Sequence, residues 1–160
     1  MDPVHLHLLL NHLPVVGTAF TLVLLLVALA KNSAELKRVS LAFLVLVALL
    51  AVPVYLTGKS AEVAVMMLDG FEESFIEQHA DAAQWAFGAQ VALGVLALAG
   101  LFVTRRGQPL PKWCASALLA LTLLVCGLMA RTANLGGQIR HPEIRASQAP
   151  AAGAHRPDER

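Results

Sequence analysis

Four apolar stretches, each close to the length that crosses a bilayer, constrain this chain more than anything else in it. They run from Leu13 to Ala30, Val39 to Leu56, Ala80 to Val103 and Trp113 to Ala130. About 30 Å of hydrocarbon takes roughly 20 helical residues to span. The four runs therefore predict an all-α fold: an integral membrane four-helix bundle with both termini on the same side. Composition agrees, with 57% hydrophobic and only 14% charged residues, where a soluble domain carries about a quarter charged. Residues 1–145 read as one four-helix transmembrane domain, and the Ala/Pro/Arg-rich residues 146–160 as a disordered tail. The net charge of +1 argues against nucleic acid, which needs a concentrated basic surface.

The start of the chain carries helix signals. Asp2 followed by Pro3 is an N-cap and first-turn pattern. Pro14 then removes the bond to the Leu10 carbonyl, which predicts a short interfacial helix leading into the first span. With no basic residue before its apolar run and no small-residue cleavage site, this segment reads as retained rather than as a cleaved signal peptide. Between the second and third spans, Thr57 to Gln78 is the one long connection. In it Ser60 to Leu68 predicts a short surface helix, Asp69-Gly70 a turn, and Ser74 with Glu77 a capping box. Gly136-Gly137 most simply ends the fourth helix. Cys114 and Cys126, twelve residues apart on one helix, lie about 18 Å from each other and cannot pair. No internal repeat is visible.

Six basic residues (Lys31, Lys37, Arg38, Arg105, Arg106 and Lys112) fall in the loops opposite the termini. Four (Lys59, Arg131, Arg140 and Arg145) fall on the termini side. The excess predicts cytoplasmic short loops and outward termini in a multi-pass membrane protein. Tyr55 and Trp85 on one side and Trp113 on the other suit interfacial belts.

Histidines supply the chemistry. His5, His7, His12, His79 and His141 all map to the termini side, with His155 left over in the tail. His12 and His79 lie at matched depth on different helices, which is what a b-type haem with two axial imidazoles needs. His5 and His12, seven apart, share a helix face, whereas His7 is roughly 140° around from His12. His12 and His79 are thus the expected iron ligands. His7 and His141, with His5, are candidates for a second site or for hydrogen bonds. Ala82, Ala83, Ala86 and Ala89 form a small-residue strip on which a macrocycle could lie. Arg131 and Arg140 are candidate partners for haem propionates, which a guanidinium pairs in a planar fork.

Plainer readings stand beside each of these. An interfacial histidine is commonly just a hydrogen-bonded polar group. An alanine strip is commonly close helix packing, and Arg131 at a helix end a snorkelling side chain. Gln84 and Gln90, expensive in lipid, are expected to face the interior. No histidine lies in the inner half of any span, so a second haem toward the cytoplasm would lack ligands. Zinc-finger spacing, phosphate-binding glycine loops and hydrolytic constellations are absent.

His7-Leu8-Leu9-Leu10-Asn11-His12-Leu13-Pro14 resembles the His-Pro-x-x-Val-His-Phe-Pro opening of a widespread bacterial family of four-helix membrane proteins, known as a domain of unknown function. Asn134-Leu135-Gly136-Gly137-Gln138-Ile139-Arg140-His141 is similar to that family's closing His-Leu-Gly-Gly motif, and His79 sits where the family has its third-helix histidine. The resemblance covers about residues 5 to 141. It implies a redox setting beside Rieske-type domains or c-type cytochromes, b-type haem, and roles for His7, His12 and His79. Leu8 stands in place of the motif's proline and Asn134 in place of its closing histidine. A second haem would then depend on His141 or His5.

The leading expectation is a b-type cytochrome with one haem, a second being open, that relays electrons between a quinone or membrane partner and a periplasmic redox protein. This expectation favours an electron-transfer protein over an enzyme, without deciding between them. The alternatives are a cofactor-free accessory subunit of a larger membrane complex, and a copper- or zinc-binding membrane protein.

Overall fold

The computed structural model describes residues 2–68, 70–141 and 143–145, and every regular element among them is a helix. The elements are α1 (Pro3–Leu10), α2 (His12–Ala30), α3 (Ala34–Met66), α4 (Glu73–Thr104) and α5 (Lys112–Arg140). Asp2 caps α1 by accepting the Val4 N–H at 3.1 Å, with Pro3 in the first turn. The break falls at Asn11, where Pro14 had placed it, but Asn11 keeps helical angles (φ −58°, ψ −26°). The chain bends there without losing its rotational phase. Counting α1 with α2, four helices are long and apolar enough to cross a membrane, so both ends lie on the same side.

The connection after the second span departs from expectation. Instead of a loop with a short surface helix, α3 runs unbroken from Ala34 to Met66, and α4 begins at Glu73 behind Glu72 as N-cap. Ser74 lies inside the first turn rather than capping it, and Asp69 of the expected turn is outside the described residues. Pro53 is tolerated in α3, whose 33 residues extend about 50 Å. The Thr57 hydroxyl donates to the Pro53 carbonyl at 2.8 Å. α3 and α4 therefore both overshoot the hydrocarbon on the termini face and form a raised hairpin there. Arg145 ties this hairpin to the end of α5. Its guanidinium donates to the carbonyls of Gln138 (2.6 Å) and Ile139 (3.1 Å), pairs with Glu72 (2.8 Å) and covers the Phe75 ring. The tail, residues 146–160, lies outside the described residues.

Inside the bundle, neighbours are α2–α3, α3–α4, α4–α5 and α2–α5, which leaves α2 and α4 diagonal; α1 lies against α3. Leu25, Leu41, Leu44, Leu93 and Val125 are fully buried, while Val16, Leu49 and Val95 are over 60% exposed. Apolar side chains outward and small ones between helices is the arrangement lipid favours. Ala82 and Ala86 are buried in this packing and Ala89 lies against it, so the alanine strip serves helix contact. A Cβ on Gly94 would collide with the Ala48 Cβ, so α3 and α4 approach as closely as they do only because the glycine is there. Buried hydroxyls bond back into their own helices: Thr21 to the Gly17 carbonyl (2.7 Å), Ser40 to Leu36 (2.8 Å), Thr104 to Gly100 (3.0 Å) and Thr122 to Leu118 (2.6 Å). Trp85 and Trp113 are about three-quarters exposed, and Tyr55 stacks on Phe87 with ring centres 4.4 Å apart.

Candidate functional site

Two histidines on the termini face are held in the same way. His7, on α1, places Nδ1 3.1 Å from the carbonyl oxygen of Val54 on α3. Its ring lies over Gly58, where a Cβ would come within 2.9 Å of the ring's Cε1. His79, in the second turn of α4, places Nδ1 3.0 Å from the carbonyl oxygen of Thr132 on α5. Its ring lies over Gly136, where a Cβ would come within 3.0 Å of Cε1. In each case the accepting residue is four positions before the glycine, one helical turn. The carbonyl points along the helix toward that turn, and the missing side chain lets an imidazole lie against the backbone and reach it.

The chemistry of this arrangement follows from the acceptor. A backbone carbonyl only accepts, so each Nδ1 must carry the proton. In the neutral ring Nε2 is then the atom with the free lone pair. A metal-ligating histidine typically has this form, with its other ring N–H donated to a carbonyl or carboxylate that fixes tautomer and orientation. The rings lie near enough to each other, and His79 near enough to Glu62, to interact electrostatically.

The pairing extends into the bundle. His7 and His79 are 72 residues apart, as are Thr18 and Gln90, which meet across the bundle axis at 2.9 Å. Thr18 and Gln90 each stand eleven residues beyond their histidine, on the diagonal helices α2 and α4. The receiving pairs, Val54 with Gly58 and Thr132 with Gly136, are themselves 78 apart. The two halves of the chain thus repeat one spacing, a clamped histidine and, eleven residues on, a buried polar side chain, although sequence similarity shows no repeat. At the axis the Thr18 hydroxyl, 2.7 Å from the Pro14 carbonyl and 2.9 Å from Gln90 Oε1, shares its one proton between these two acceptors, and the Gln90 Nε2 is left without an acceptor. Fully buried Gln90 has one amide atom without a partner.

The remaining site candidates are placed differently. His12 is exposed at the start of α2, and His5 is exposed on α1. Of the histidines on this face, His7 and His79, rather than His12 and His79, are the two that share this hydrogen-bonding arrangement. The physical reason is rotational: Asn11 stays helical, so His12 remains roughly 140° from His7, and only one of them can face α3. His141 is exposed and turns Nδ1 to Glu143 at 2.8 Å. The Glu143 carboxyl is held below its usual range, first by its own backbone N–H and then by His141. Arg131 is exposed one residue before Thr132, and Arg140 is exposed over the Phe71 ring. Gln84 is exposed, against expectation, whereas Gln90 faces the interior as expected.

Gly136-Gly137 does not end α5, which continues to Arg140; Gly136 is instead where His79 seats. Gly58, Val54 and Thr132 went unnoticed in the sequence. The available signal was a histidine near the start of each half and a glycine near its end. No family model, curated protein or solved structure matches the chain.

Proposed function

We propose that this chain is a membrane-bound b-type cytochrome that relays electrons at its termini face, in which His7 and His79 would hold the iron of one haem. The observation that carries the reading is the duplicated clamp: two imidazoles from different helices, each with Nδ1–H spent on a backbone carbonyl and Nε2 left as a lone pair. These residues suit the group on donor chemistry and on preorganisation, since Gly58 and Gly136 hold the rings in fixed planes before any ligand arrives. Arg131, beside the Thr132 that fixes His79, is the propionate partner on this reading, with Arg140 further along the same face. When bound, haem with both axial positions filled exchanges single electrons and little else. The protein's part is to hold both Nε2 lone pairs in place, keep the rings neutral and seat the charged edge at the interface. The expected partners are a quinone or a periplasmic redox protein, with the termini facing the periplasm of a bacterial inner membrane.

The test is an absorption spectrum of the detergent-purified protein, oxidised and dithionite-reduced, with pyridine haemochrome quantitation. One haem per chain and a b-type α-band are expected, lost in His7→Ala and in His79→Ala and retained in His12→Ala. Retention in either of the first two removes that residue from the ligand set.

One observation favours a second reading, a cofactor-free accessory subunit. Each clamped ring also ties two helices together and fills a glycine notch, so both are complete as packing elements. A featureless spectrum from protein made with ample haem selects this reading. Metal analysis of the same sample separates copper or zinc on the same histidines.

A further inference from the structure

The face opposite the histidines holds a different kind of site. A cavity of about 160 Å³, well above what one water needs, opens between the α2–α3 turn and the end of α4, lined by Asn32, Lys37, Arg38, Thr104 and Gln108 among others. Arg38 enters it under constraint. One terminal guanidinium nitrogen donates to the carbonyl of Thr104, the last residue of α4, while its Nε–H is buried without an acceptor. Lys37 donates to the neutral Asn32 side chain at 2.7 Å. Among the described residues, neither cation is paired with a carboxylate. Two positive charges thus stand uncompensated at one cavity whose remaining lining is largely apolar, and one of them carries an orphaned donor.

Burying a charged donor without a partner is unfavourable unless an acceptor is supplied. The surroundings set which acceptor. Lys31, Arg105 and Arg106 lie in the two short connections and Lys112 opens α5 on the same face, against the single carboxylate of Glu35 in the first turn of α3, so the net charge of this face favours an anion. Its lining comes from the α2–α3 turn, the start of α3 and the α4–α5 connection, at the ends of the apolar spans, and basic residues at such a boundary attract anionic lipid phosphates. A guanidinium with free N–H groups beside an ammonium matches the several acceptor oxygens of a tetrahedral anion.

We propose that this cavity binds a phosphate group, with Arg38 and Lys37 as its charged ligands and Asn32 and Gln108 as neutral donors. The phosphate of an anionic lipid headgroup and free phosphate share this chemistry. The site is independent of the histidine clamps and does not rest on the cytochrome reading.

The test uses the full chain in a neutral detergent, read by Trp113 fluorescence in a Trp85→Phe background and by thermal unfolding. Dihexanoyl phosphatidylglycerol, dihexanoyl phosphatidylcholine and inorganic phosphate are titrated separately. Saturable binding of the glycerol lipid is expected, weakened roughly tenfold in Arg38→Gln and less in Lys37→Gln, with the choline lipid unaffected by either change. Lys37→Gln leaves the Arg38–Thr104 contact intact, so it carries the test if Arg38→Gln unfolds. Saturation by inorganic phosphate, lost in the same variants, assigns the free anion as the source. Equal affinity of the wild type and both variants for every probe overturns the site.

Discussion

His7 and His79 occupy matching environments but reach them from unlike scaffolds. His7 rides on the eight-residue α1, set off from α2 by the bend at Asn11. His79 sits within an unbroken helix of 32 residues. Their acceptors differ too. The Val54 carbonyl also takes the Thr57 hydroxyl at 3.0 Å, so His7 shares it, whereas the Thr132 hydroxyl turns away to the Leu128 carbonyl at 2.9 Å. What the two clamps have in common is therefore the receiving helix: a carbonyl, and one turn later a residue without a side chain. The helix that delivers the histidine is free to vary. The length and continuity of α4 make His79 the member expected to be stiffer.

The largest expected effect comes from filling the notches. Gly58→Val and Gly136→Val each put a branched side chain where a single Cβ already approaches the ring to 2.9 or 3.0 Å. The ring must leave its carbonyl in both. Disrupting such an outer partner of a metal-binding histidine lowers affinity roughly 10–100-fold, so haem per chain, counted by pyridine haemochrome, should collapse. If stiffness matters, Gly136→Val is the worse of the two, because α1 can swing outward while the start of α4 cannot. Equal losses would mean that the two delivering helices are equally rigid. Full haem content in either variant would show that its clamp has no part in ligation.

The clamps also show where sequence reading stopped. The four spans, the common side of the termini and the bend before Pro14 were legible because hydropathy and proline act locally. The histidines were legible as a group, yet the choice between His7 and His12 was not. It turns on whether the backbone at Asn11 keeps its helical phase, which a proline three residues later does not decide. The uninterrupted run of α3 past Gly58 was hidden for a related reason. Gly58, Lys59 and Ser60 look like loop in isolation, whereas the structure continues α3 through them, with Ala61 on α3 and Ile76 on α4 buried just beyond. Gly136 was read as a stop signal because its partner, His79, lies 57 residues away in sequence and against it in space.

A middle-sized effect separates the two scaffolds. In Pro14→Ala, position 14 regains an N–H for the Leu10 carbonyl, so α1 and α2 should merge into one straight helix. That straightening carries His7 away from Gly58 and leaves α4 untouched. Haem affinity should fall several-fold, with the purified protein's thermal stability unchanged or raised by a local gain of about 1 kcal/mol. Unchanged affinity would mean that the bend exists for lipid or partner contact and that the His7 clamp tolerates a straight approach.

The smallest effect tests the axis itself. Gln90 gains one hydrogen bond from Thr18 but is fully buried with an amide atom unpartnered. A hydrogen bond of this kind contributes about 0.5–1.5 kcal/mol net, and an orphaned buried polar group costs about 1–3 kcal/mol. Gln90→Leu, which removes both and conserves much of the volume, should thus leave stability within about 1 kcal/mol of the parent, because Thr18 retains its bond to the Pro14 carbonyl. Reversible unfolding in mixed micelles measures this, and the reduced spectrum should not move, since Gln90 lies eleven residues, about 16 Å along α4, from His79. A loss well beyond that range would mean that the unpartnered atom is satisfied in the membrane by a bound water or a second molecule. The meeting of Thr18 with Gln90 would then be a working polar site on the axis, and equivalence of the two halves would extend from the histidines to the centre of the bundle.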